Sequence, residues 1–211
     1  MLQRKRKTKS PCPECFLHPN LCICEVITSI QTKAKLSLIV HAKELKRTTN
    51  TGRLALKVLE NSQMIVRGQN REPVDLSPLI NDDYQSLLFF PADDAVQLTE
   101  SFIKNISKPI HLLVPDGNWR QASKVAIRHP ELKTLPRVMI TKPNMAREHL
   151  RAESSEIGMA TLQAIAEAFR IIEGETSYEL LMKVYRAKLE NTLKGRGQQS
   201  RVSIDPAGSI S

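Results

Sequence analysis

Apolar residues in this chain fall into short runs set apart by polar stretches. Runs at 36–41, 64–67, 86–90, 110–115 and 135–141 have the length and continuity of buried strands. Helical spacing fills the gaps. Leu54, Val58 and Leu59 give a core face to a helix that starts near Gly52. A second helix is expected over 93–104, with Asp93 and Asp94 offsetting its dipole. A third opens at Asn118, shows a small-residue face at Ala122, Ser123 and Ala126, and ends at His129-Pro130. Met159, Leu162, Ile165, Ala166, Phe169 and Ile172 share one face of a fourth, and a fifth spans about 178–193. The stretch 68–83 reads as a loop, and 195–211 as a disordered tail. Strands alternating with helices make an α/β domain.

The most informative stretch is 110–124. An apolar run ends at Pro115, Asp116-Gly117 turns, and Asn118 with Gln121 reads as a capping box. With Asn118 as the cap, the Asp116 carboxylate is free at a strand's carboxyl end, where α/β sheets bind ligands. Trp119, the single tryptophan, follows in the first helical turn. After the strand at 36–41 comes a loop dense in donors, Thr48-Thr49-Asn50-Thr51-Gly52-Arg53. Thr49, Asn50 and Thr51 are helix caps, and Lys43, Lys46, Arg47 and Arg53 add charge for a phosphate or carboxylate. The loop 142–157 is long and basic, with Lys142, Arg147, His149 and Arg151. A loop of that length is either functional or disordered.

Composition adds three constraints. No apolar run approaches the ~20 residues of a membrane span. The basic start lacks the apolar stretch of a signal peptide, which places the chain in the cytoplasm. The net charge of +9 suits an anionic partner such as nucleic acid, and the charges at Arg4–Lys9 form either a solvated tail or an RNA-binding arm. Gly-x-Gly-x-x-Gly and P-loop motifs are absent. All four cysteines, Cys12, Cys15, Cys22 and Cys24, fall within thirteen positions. Such clustering favours one tetrahedral Zn²⁺ over free buried thiols, with His18 outside a shell the thiolates already fill. A closed thiolate shell makes that metal structural. The expected units are a basic arm at 1–10, a zinc knuckle at 11–30, a catalytic domain at 31–193 and the tail from 194.

Four segments in this order carry a resemblance: the cysteine knuckle, the strand-end His41 with Thr-Asn-Thr-Gly-Arg, Asp116-Gly117-Asn118-Trp119, and the helix start at Gly158. Together they resemble the DTW-domain family of tRNA-uridine aminocarboxypropyltransferases, related to the SPOUT methyltransferases. Three positions depart from the family pattern: Asn118 replaces a threonine, and Ala160 and Gln163 stand for Ser and Glu at the last helix start. The resemblance implies a SPOUT-like parallel sheet with helices on both faces and a C-terminal trefoil knot. It implies transfer of the 3-amino-3-carboxypropyl group of S-adenosylmethionine to a uridine ring nitrogen in tRNA, releasing methylthioadenosine. Cofactor contacts are then expected from Asn50, Thr51, Gly52, Arg53, Pro115, Asp116, Gly158 and Thr161. Asp116 is either the general base or a ligand of the cofactor's amino group or sulfonium. Arg53 or Arg47 holds its carboxylate. Trp119 either stacks on a base or packs in the core. A SPOUT RNA methyltransferase and a non-catalytic zinc RNA-binding protein are the alternatives. A monomer is favoured.

Overall fold

A computed structural model of the chain describes residues 10–69, 73–141 and 159–197, without the side chain of Trp119. Six strands form one parallel sheet: β1 (Lys35–His41), β2 (Ser62–Arg67), β3 (Gln85–Phe89), β4 (Val96–Gln97), β5 (Ile110–Asp116) and β6 (Arg137–Met139), in the order β2-β1-β5-β3-β6-β4. The helices are α1 (Gly52–Val58), α2 (Glu100–Ile103), α3 (Trp119–Arg128), α4 (Thr161–Glu173) and α5 (Glu175–Gly195).

Strand alternation divides the core in two. Leu36, Leu38 and Val40 of β1, with Leu112 and Val114 of β5, face α1, α4 and α5 in the larger half. Ile39, Leu88 and Leu113 point the other way, onto Ala122 and Val125 of α3. Both faces of the central strands are apolar, which is why those strands read as unbroken apolar runs. Burial bears out the expected helix faces at Leu54, Val58, Leu59, Leu162, Ile165, Ala166 and Phe169.

The capping box forms with both bonds. The Asn118 side chain accepts from the Gln121 backbone, and Gln121 Oε1 accepts from the Asn118 backbone at 2.8 Å. Pro115 sits in β5 two residues past the end of the β3–β5 ladder, where its missing N–H is tolerated.

One expected helix is corrected. Residues 93–104 do not form a continuous helix. Both oxygens of Asp94 pair with Arg137 Nη1, at 2.8 and 2.6 Å. The Leu98 amide donates to the Met139 carbonyl, and the Leu98 side chain is fully buried. These contacts draw the segment out along β6 as β4. Helix then resumes only at Glu100, where the Thr99 hydroxyl accepts from the Phe102 amide. A tertiary ion pair and a buried leucine outweigh the few tenths of a kcal/mol that an acidic first turn offers a helix.

The cysteine segment shares the larger core, since Cys15, Leu17 and Ile23 are buried in it. Asn191 Nδ2 donates to the Leu21 carbonyl and ties the segment to α5.

Candidate active site and metal centre

The helices that follow β1 and β5 lie on opposite faces of the sheet. The carboxyl ends of these neighbouring strands therefore open a crevice, the usual ligand position in an open α/β sheet. Asp116 ends β5 in that crevice and is buried. Its Oδ2 accepts from Asn50 Nδ2 at 2.5 Å, and its Oδ1 accepts from Thr161 Oγ1 at 2.6 Å. Three segments far apart in the chain thus meet at one carboxylate. Each oxygen keeps acceptor capacity for a further partner.

Gly52 allows that approach. A Cβ at Gly52 would lie 3.1 Å from Thr161 Cγ2, 3.3 Å from Asp116 Cγ and 3.3 Å from Leu38 Cδ1. Thr51 does not cap its own helix; its hydroxyl accepts from the Leu162 amide at 3.4 Å, in the first turn of α4. Asn50 Oδ1 accepts from the Arg53 amide at 3.4 Å. The Thr-Asn-Thr-Gly-Arg loop therefore binds α1 to α4 around Asp116.

Arg53 separates from Arg47. The Arg53 guanidinium lies 3.7 Å from the centre of the Phe16 ring, with Nε and Nη2 buried and without a hydrogen-bond partner. Burial lowers its pKa from the ordinary value, and the charge of Asp116 opposes the shift. Buried unsatisfied donors are costly, and on a cation they suit an anionic group of a ligand. Arg47 instead pairs with Glu44 at 3.3 Å.

Of the residues expected to bind cofactor, Asn50, Thr51, Gly52, Arg53, Asp116 and Thr161 come together. Pro115 adjoins them in β5, on the opposite face by strand alternation. Gly158, the basic loop after β6, residues 1–9 and the tail from 198 lie outside the described residues, as does the Trp119 side chain.

The four cysteine sulfurs lie within 4.8 Å of one another. Cys12–Cys24 is 3.6 Å, and Cys15–Cys22 and Cys12–Cys22 are both 3.7 Å. Disulfides need ~2.05 Å. A tetrahedron of thiolates with ~2.3 Å metal–sulfur bonds has edges of about 3.8 Å, so the spacing fits a metal ion. Backbone N–H groups, first that of Cys15, hold the Cys12 thiol down to about 6, while burial raises Cys15 and Cys24. Sequence reasoning missed two neighbours. Phe16 supports Arg53, and the fully buried Lys188 donates from Nζ to the Cys15 carbonyl at 2.5 Å. Neither carried a local signal, since each acts on a residue distant in the chain.

The DTW domain model matches residues 9–193. Two curated relatives bear the name tRNA-uridine aminocarboxypropyltransferase 2. The mouse protein is 24% identical over 200 residues, covering 91% of this chain and 66% of its own length. The protein of Macaca fascicularis is 22% identical over 206 residues, covering 93% and 68%. The chain thus spans about two thirds of the relatives' length. No solved structure matches. Among the described residues no helix is long and apolar enough to cross a membrane. With the match covering most of its length, the chain belongs to the DTW-domain family.

Proposed function

We propose that this chain is a tRNA-uridine aminocarboxypropyltransferase acting in the cytoplasm. The supporting observation is a buried carboxylate held from two sides, next to an arginine whose buried donors have no partner. When bound, S-adenosylmethionine supplies an electrophilic carbon beside its sulfonium; the N–C bond forms as the C–S bond breaks and methylthioadenosine leaves.

Arg53 holds the cofactor carboxylate, and Phe16 keeps the guanidinium aimed at it. Contacts from the 50–53 loop and Thr161 orient the transferred arm, which is the first task where three carbons are activated. Asp116 takes the ring N–H proton of the uridine and passes it to water. Asn50 and Thr161 fix the carboxylate's direction. The sheet, parallel with helices on both faces, supports the SPOUT-like reading, and the C-terminal knot rests on the resemblance. Cys12, Cys15, Cys22 and Cys24 hold a structural zinc ion, and Cys22→Ser brings metal content well below one per chain.

The test is a single incubation of full-length protein, unmodified tRNA and S-adenosylmethionine. Methylthioadenosine should form only with tRNA present, in step with a heavier uridine detected by mass spectrometry. S-adenosylhomocysteine as the main product would assign a methyltransferase instead. No product and no tRNA-dependent turnover would leave a zinc-containing RNA-binding protein.

A further inference from the structure

A second cluster occupies the same strand-end edge, on the face away from Asp116. His41 ends β1 and lies level with Arg67, which ends β2. Arg67 is 7% exposed. Its Nη2 donates to the Gln121 carbonyl in α3, while its buried Nε has no hydrogen-bond partner. His41 Nδ1 accepts from the Lys43 amide at 3.1 Å, so the neutral ring carries its proton on Nε2. That edge of the ring packs on Gly68, whose φ is +70° and where a Cβ would sit 3.0 Å from Nε2.

The charges here are nearly all of one sign. Burial first, then Arg67, Lys43 and more weakly Lys124, push His41 towards its neutral form, against Glu44. Burial first, and then Arg128, one turn beyond Lys124 on α3, act on Arg67 in the same sense. Glu44 is itself paired with Arg47. Like charges gathered around a buried guanidinium with a spare donor cost free energy until an anion joins them. The cofactor carboxylate is not that anion, because Arg53 lies across the sheet. Asp116 on β5 and Arg67 on β2 are two strand spacings apart, roughly 10 Å.

We propose that Arg67, His41, Lys124 and Arg128 form a subsite for a backbone phosphate of the RNA substrate, close to the nucleotide whose base reaches Asp116. This rests on the tRNA reading above. Arg67 provides the fixed donor, His41 a neutral N–H, and Lys124 and Arg128 the mobile charges at the rim. Such contacts set the register of the RNA without reading its sequence.

The experiment is equilibrium binding of an unmodified tRNA transcript to the full chain over a range of salt. Variants are Arg67→Gln, Lys124→Gln, Arg128→Gln and, as a control on the solvent side of α5, Lys183→Gln. Each α3 variant should weaken binding and flatten the slope of log affinity against log salt by up to ~0.9 per lost duplex contact, or ~0.7 on a single strand. Arg67→Gln should lose most affinity, and Lys183→Gln should leave the slope in place. Since Arg67 also ties β2 to α3, its variant is checked by thermal melting. Lys124 and Arg128 are partly or fully exposed, so their variants decide the matter even if that one unfolds. Slopes equal to wild type in both α3 variants overturn the subsite and leave the tRNA reading standing. A control that flattens the slope equally shows diffuse charge and overturns it too. Wild-type protein that does not bind tRNA removes the substrate reading and the subsite with it.

Discussion

β5 carries a buried ionisable group near each end, and the two are built differently. His111 lies near the start and is fully buried. Ser37 of β1 bonds its Nε2 at 2.7 Å, and Gln63 of β2 donates to Ser37 Oγ at 2.9 Å. The side chains of that network all lie on strands. Burial above all, with Lys35 assisting, pushes the imidazole down to about 4, so it is neutral at physiological pH. Asp116 ends the same strand, and its partners come from a loop and from the first residue of a helix, with an unsatisfied arginine nearby. A network within the sheet secures register. A network of loop and helix-end groups at the carboxyl edge can admit a ligand. Burial alone does not distinguish them; the elements that supply the partners do.

The widest gap between the two ends should appear with Asp116→Asn. The amide can still accept from Asn50 and can donate to the Thr161 hydroxyl, so the fold should persist. The rate of the chemical step should drop ~10²–10⁴-fold while S-adenosylmethionine still binds. Loss of cofactor binding instead would make Asp116 a cofactor ligand. An unchanged rate would remove the contrast between the two ends.

His111 should act on stability, not rate. Its folded pKa lies below the ordinary 6.5. The unfolded chain therefore binds the proton first as pH falls. Stability is fully present above about 6.5 and is lost down to about 4, by roughly 3 kcal/mol for this group. His111→Gln should show a shallower decline across that window than wild type in denaturant titrations. Parallel curves would mean that His111 is not the titrating group.

Gly52→Ala sharpens the contrast at lower amplitude. The new methyl crowds Thr161 and Asp116 by a few tenths of an ångström. The helix gains up to about 1 kcal/mol from alanine, which offsets the crowding, so stability should barely move. Catalysis depends on the displaced groups and should fall on the order of 10-fold. A variant as active as wild type would show that the Thr161–Asp116 contact does not matter to the rate. The smallest effect is expected from Asn118→Ala, which removes the α3 cap. It should cost about 1 kcal/mol of stability while the rate stays within a few-fold. A large loss of rate would mean that the cap itself belongs to the crevice.

What was legible in the chain was local. The cysteines are neighbours in sequence, so their spacing alone brings four sulfurs within reach of one ion. The Asn118–Gln121 box spans three residues, and the apolar runs mark the central strands because both faces of those strands are buried. Contacts between distant segments were not legible. Nothing near Asp94 foretold Arg137, which turned an expected helix into β4. Nothing in the 47–53 loop distinguished Arg53 from Arg47 before Phe16 and Glu44 were seen to divide them. The pairing of Thr161 with Asp116, and of His41 with Arg67, depends on strand register and on where α4 packs. In a parallel sheet every neighbouring strand is reached through a crossover, so residues that meet at its carboxyl edge are far apart in the chain. Propensity and capping act over a few residues and could place each element. Only burial of the shared core and closure of the ladders decided which side chains those elements bring together.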